Sequence, residues 1–101
     1  MSITVQFNGS IASIVLSGGI DYSTQEEFKT ANKQALAAEN VKEIHVNFAE
    51  ATFLDSSGIR ALLILNKEAK SFGKSLVILN CNEYLRNIFE IGGFDKVFSF
   101  R

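Results

Sequence analysis

Residues 53 to 62 read Phe-Leu-Asp-Ser-Ser-Gly-Ile-Arg-Ala-Leu. An apolar approach ends in Asp55-Ser56-Ser57-Gly58, and an apolar run follows at helical spacing. Asp and Ser are preferred at helix starts because their side chains accept hydrogen bonds from the unpaired N–H groups of the first turn. A carboxylate and two hydroxyls therefore stand where a helix must begin. That end of a helix also carries a partial positive charge, which favours an anion, a phosphate on serine included. The stretch reads as a regulatory phosphoserine site at a helix start.

The rest of the chain is patterned around this junction. Ile3, Val5 and Phe7 alternate with Thr4 and Gln6, the signature of a strand with one apolar face. Asn8-Gly9 follows as a tight hairpin turn, residues 11 to 17 form the returning strand, and Gly18-Gly19 breaks it. A capping box fits Ser23 with Glu26 or Thr24 with Glu27. The helix behind it is expected to run to about Ala38, burying Phe28, Ala31, Ala35 and Ala38 and turning Lys29, Asn32 and Lys33 to water. Asn40 is its stop.

Val41 to Phe48 is a third strand, with Ile44, Val46 and Phe48 on one face. The second helix is expected from Ser57 to about Phe72. Its residues 61 to 65 are apolar all round, so most of that turn is expected to be covered, Arg60, Lys67, Lys70 and Lys74 are wet, and Gly73 ends it. Leu76-Val77-Ile78-Leu79 reads as a strand buried on both faces. Asn82 caps a short third helix with Leu85, Ile88 and Phe89 inward, closed by Gly92-Gly93, and Phe94 to Phe100 is expected to form a last short strand. The order β-β-α-β-α-β-α-β is a hairpin followed by alternating helices and strands, which predicts an α/β fold with a four- to five-stranded mixed sheet backed by helices.

Composition narrows the function. At 101 residues the chain, 1–101, is expected to be a single domain with one real core. The net charge of −1 points away from nucleic acid and from anionic membranes. A lone cysteine, Cys81, excludes an internal disulfide and suits a reducing compartment. No run is long enough to span a bilayer, and Met1-Ser2-Ile3-Thr4-Val5-Gln6 lacks a secretory pattern. The expectation is a soluble cytoplasmic protein, a monomer or weak dimer.

Phe53-Leu54-Asp55-Ser56-Ser57-Gly58-Ile59 resembles the signature of the STAS family, the anti-sigma factor antagonists of bacterial partner-switching systems. Gly19-Ile20-Asp21-Tyr22-Ser23-Thr24 is similar to that family's second recurring segment, and Ile91-Gly92-Gly93-Phe94-Asp95-Lys96-Val97-Phe98 fits its tail. The resemblance implies a partner that is an anti-sigma factor or serine kinase of the histidine-kinase-like ATPase fold. It implies phosphorylation at Ser56, the first serine after the Asp, and removal of the phosphate by a metal-dependent serine phosphatase. It also implies that Asp21 contributes to the partner surface or supports phosphorylation. One departure stands out: Asn47-Phe48-Ala49 occupies the place where the family usually carries Asp followed by Leu-Ser.

Each residue has a plainer reading beside the functional one. Ser56 and Ser57 can both simply cap, with Ser57 the better candidate for that role. Asp55 braces the turn, and in function it aims the Ser56 hydroxyl outward. Asp21 is a turn residue at the edge where α/β sheets bind ligands. Gly58 allows close approach of a partner or is a small residue demanded by packing, and Arg60 meets an acidic partner or is solvated. His45 points away from Ile44 and Val46 as a surface or interhelix residue, and Cys81 is partly buried and inert.

An enzyme is disfavoured. There is no nucleophile elbow, no paired His or Cys metal ligands and no phosphate-cradling Gly-Lys loop, so neither catalytic residue, cofactor nor metal is expected. The alternative to the switch is a regulator or scaffold of the same fold with another output, such as biofilm or polysaccharide formation, secretion, motility or lipid transport.

Overall fold

The computed structural model describes residues 2–101. Alternation sets the first two strands as expected: β1 (Ser2–Asn8) pairs antiparallel with β2 (Ile11–Ile20). Asn8 pairs with Ile11, so the turn residues are Gly9 and Ser10, one later than Asn8-Gly9. Gly9 sits at φ +61°, the left-handed conformation that a two-residue hairpin demands and glycine supplies. A 3₁₀ turn (Tyr22–Thr24) then leads into α1 (Gln25–Ala37). Next come β3 (Glu43–Leu54), α2 (Ser56–Ser71), β4 (Ser75–Leu79), α3 (Glu83–Ile91) and β5 (Ser99–Phe100).

The sheet order is β1-β2-β3-β4-β5, and every pairing after the first is parallel. This is the mixed α/β sheet that the pattern predicts. Ala12, Ile14 and Leu16 of β2, Ile44, Val46 and Phe48 of β3, and Leu76 and Ile78 of β4 are buried in one core with the inner residues of the helices. The ring of Phe89 from α3 packs against Phe48, Phe98 and Phe100 at centroid separations of 5.4–6.1 Å.

Several sequence expectations are corrected. Gly18-Gly19 does not break β2; the strand runs through both to Ile20, with register shifts on either side of Ser17-Gly18. The reason lies across the ladder. Gly19 pairs with Phe53, and a Cβ on Gly19 would stand 2.8 Å from that ring, so glycine makes room for the aromatic side chain. β3 correspondingly extends six residues beyond Phe48, to Leu54. The last strand is only Ser99–Phe100, far shorter than Phe94 to Phe100.

Two side chains are misassigned by pattern alone. Asn32 is buried, not wet, at 7% exposure. Lys74 is equally buried: its ammonium donates to the carbonyls of Ala35, Leu36 and Ala38 at 3.3, 2.9 and 2.6 Å, closing the open C-terminal end of α1 with a cation. Most of the apolar turn at 61 to 65 is covered as expected, with Ile64 its one exposed residue at 52%. Gly73, at φ +71°, ends α2 as its position predicts, and the Asn82 side chain caps α3 by accepting from the Leu85 N–H at 2.8 Å.

Candidate functional site

The parallel ladder between β2 and β3 ends at the pair Ile20 and Leu54. Asp21 and Asp55 are the next residues of the two strands, and the Asp55 N–H donates to the Ile20 carbonyl at 3.2 Å. The sheet thus delivers two aspartates side by side at its carboxyl edge, each at the start of a helical segment.

Both aspartates are caps. Asp55 Oδ1 accepts the N–H groups of Ser57 and Gly58 at 2.9 and 3.0 Å and the Ser57 hydroxyl at 2.6 Å. The Ser57 hydroxyl, helped by those two N–H groups and opposed by burial, holds the Asp55 carboxyl below its usual pKa range. The cap of α2 is therefore Asp55, and Ser57 is not the cap but the residue that braces it. Asp21 Oδ1 likewise accepts the N–H of Ser23 at 3.0 Å and the Ser23 hydroxyl. The reciprocal bond comes from Thr24, whose hydroxyl accepts from the Asp21 N–H at 3.1 Å. The capping box is thus Asp21 with Thr24, rather than Ser23 with Glu26 or Thr24 with Glu27.

Ser56 is the first residue of α2 and is exposed. Its hydroxyl forms no hydrogen bond with another described residue, in contrast to Ser57. Gly58 is buried, and a Cβ there would lie 2.5 Å from Leu54 Cδ1 and 2.9 Å from the Ile20 carbonyl. Close packing of α2 onto the ends of both strands accounts for it. Arg60 is exposed one turn after Ser56, at the i,i+4 spacing that puts two side chains on one helix face.

Two residues that the sequence did not single out also belong to this edge. Tyr22 follows Asp21 and is 79% exposed, and Phe53, on Gly19, is 41% exposed. Their signal was present as large aromatics close beside the two capping aspartates. Gln25 ties the helices together, its side-chain amide donating to the Ser57 carbonyl at 3.5 Å.

Asn47 and Asn80 sit farther along the same carboxyl edge. Asn47 Oδ1 accepts from the Ala49 N–H at 2.9 Å and from the Asn80 amide at 3.0 Å, so the departure at this position retains its acceptor. His45 points away from the core and pairs with Glu43, which Arg101 also holds at 3.0 Å. The His45 and Arg101 bonds lower the Glu43 pKa. Cys81 is half-buried, and burial pushes its thiol pKa up, away from a reactive thiolate. Among the described residues no group of three or more His, Cys, Asp or Glu is placed to hold a metal, and no helix is long and apolar enough to cross a membrane.

A mixed five-stranded sheet whose carboxyl edge presents a capped Asp-Ser-Ser-Gly helix start is the arrangement of STAS domains. The STAS domain family model matches residues 2–101, and the chain belongs to that family. A STAS-domain containing protein of Pseudomonas aeruginosa (strain UCBPP-PA14) is 28% identical over 91 residues, covering 90% of this chain and 88% of the relative. Among solved structures, the unphosphorylated form of the anti-sigma factor antagonist SpoIIAA superposes with TM-score 0.76 at 22% identity, covering 99% of this chain and 87% of that one. The phosphorylated form of SpoIIAA, described as a Bacillus cell fate determinant, gives 0.75 at 22% identity, covering 99% and 91%. A sulfate transporter family protein from Wolinella succinogenes gives 0.77 at 14% identity, covering 90% and 76%. At these identities the structures share the fold.

Proposed function

We propose that this chain is a phosphorylation-controlled binding protein, an anti-sigma factor antagonist acting in the cytoplasm. Unphosphorylated, it captures an anti-sigma factor or serine kinase of the histidine-kinase-like ATPase fold. Phosphorylated on Ser56, it lets go, and a metal-dependent serine phosphatase resets it. Its role is binding, not catalysis.

The observation that carries this reading is the Ser56 hydroxyl, exposed and without a protein partner at the head of α2. Next to it the Asp55 carboxylate already takes the Ser57 and Gly58 N–H groups. A phosphate on Ser56 therefore finds those donors occupied and stays in solvent. It adds about −1.5 to −2 charges beside Asp55 and the neighbouring Asp21. The host loses no hydrogen bond, whereas a docked protein meets a hydrated dianion on an acidic edge. Such repulsion and lost complementarity cost several kcal/mol, enough to lower affinity about a hundredfold or more. Tyr22 and Phe53 supply the apolar contact area that such an interface needs, and Arg60 supplies a cation.

The same fold in a sulfate transporter family protein supports a second reading, a STAS regulator or scaffold with an output other than a sigma factor. Capture from the source cell with Ser56→Ala and Ser56→Asp baits, read by mass spectrometry, separates the two. The switch predicts a kinase or anti-sigma protein enriched only by the Ala bait. Equal capture by both baits favours the scaffold.

A further inference from the structure

α1 and α2 each follow one of two neighbouring parallel strands, so they run side by side in the same direction. Between them lies a groove of about 380 Å³. That falls at the lower end of the range for small-molecule sites, roughly 300–1,000 Å³. Its walls are sorted by chemistry. Lys29 and Lys33 from α1 face Arg60 from α2, while Leu36 and Ile64 give an apolar stretch. Glu68 is the single acid of the lining and stands two turns beyond Arg60, toward the far end.

The cations are available. Lys33 and Arg60 have no carboxylate partner among the described residues, and Lys29 has only Glu26 at 3.9 Å, across an exposed pair. The positive ends of both helix dipoles lie at the end nearest Lys29 and Arg60. Asn32 adds an independent sign. It lines the groove, is more than nine-tenths buried, and its Oδ1 is sealed from water with no hydrogen-bond partner. Folding alone gives no reason for an amide on this buried stripe, where α1 otherwise uses Phe28, Ala31, Ala35 and Leu36. Rotating the amide half a turn exchanges its two ends, so it can offer either a donor or an acceptor to an occupant.

We propose that the α1–α2 groove binds a small organic anion with an apolar body, its carboxylate held by Lys29, Lys33 and Arg60 and its body lying along Ile64 and Leu36. The site shares Arg60 with the proposed partner surface, but its lining does not include Ser56 and its anion contacts do not depend on the phosphoserine switch. Glu68 at the far end discriminates against a second negative charge on the ligand.

The test is an NMR titration of the isotope-labelled full chain with hexanoate, and with hexylammonium as the charge-reversed probe, at constant ionic strength. Saturable shifts are expected for hexanoate at residues 25–36 and 60–68, with binding to hexylammonium at least about tenfold weaker. Lys33→Glu and Ile64→Gln change exposed side chains, so their spectra should otherwise match the parent, and each should weaken hexanoate by about fivefold or more. The proposal is overturned if the two probes shift the same residues equally, if hexanoate shifts scatter over the surface, or if neither variant changes its affinity. Concentration-dependent shifts of the groove residues without any probe would assign the groove to a second copy of the chain and likewise overturn it.

Discussion

The two junctions at the carboxyl edge, Asp21 to Thr24 and Asp55 to Gly58, are built on one plan and used differently. Each aspartate follows one member of the paired residues Ile20 and Leu54, and each takes the N–H and hydroxyl of the serine two places on. Beyond the caps the two junctions diverge. Asp21 opens a three-residue 3₁₀ turn before α1 begins, and the residue between cap and serine is Tyr22. Asp55 opens directly into the 16-residue α2, seated through Gly58 against both strand ends, and the residue between cap and serine is Ser56. A common cap thus places an exposed aromatic side chain at one junction and an exposed, unengaged hydroxyl at the other. The second is seated tightly on both strand ends, where Gly58 leaves no room for a side chain.

That contrast can be broken in graded ways. The largest effect is expected from Gly58→Val. The added side chain has no room between Leu54 and the Ile20 carbonyl, and overpacking of this kind costs about 3 kcal/mol. Urea unfolding should show a lower midpoint with a little-changed slope, whereas an undiminished midpoint would mean that α2 is not seated on the strand ends through Gly58. Asp55→Ala should follow, at about 1–2 kcal/mol, because it removes the cap of the long helix and strands the Gly58 N–H. Asp21→Ala should cost less, about 0.5–1 kcal/mol. Equal losses in the same unfolding assay would erase the distinction between the junctions.

The smallest effect is on the acid limb. Hydrogen bonds in the folded state depress the Asp55 pKa below its ordinary 3.8. Its contribution is therefore full above that value and is lost as pH falls through the lower folded value. Asp55→Asn, which still caps, should flatten the fall of stability below about pH 4. Glu43 is depressed by His45 and Arg101 and contributes in the same direction, so it leaves a residual slope in that variant. An Asp55→Asn profile parallel to the parent's would mean that Asp55 carries none of the acid dependence.

Much of this architecture was legible because its signals are local. Period-two apolar runs marked β1 and the core of β3, an unbroken apolar run marked β4, Asn82 marked the cap of α3, and Gly73 the end of α2. Where the sequence misled, tertiary contacts overrode a sound local rule. Gly18-Gly19 reads as punctuation, yet Phe53 across the ladder needs the space at Gly19 and β3 holds the strand in register. Lys74 reads as a wet lysine after a helix, yet the unsatisfied carbonyls at the end of α1, nearly forty residues away in sequence, bind its ammonium. At the junction the residue types were legible but their division of labour was not. Asp and Ser cap equally well on sequence grounds, and only the geometry assigns the cap to Asp55 and leaves Ser56 unengaged.

The most direct measurement pairs intact mass with affinity. The purified chain is incubated with the cognate kinase and ATP, and each fraction is then weighed and titrated against that kinase. A gain of one phosphate mapping to Ser56 is expected, with affinity at least about a hundredfold weaker and thermal unfolding nearly unchanged. No added phosphate, or a phosphorylated chain that binds as tightly as before, would contradict the central claim.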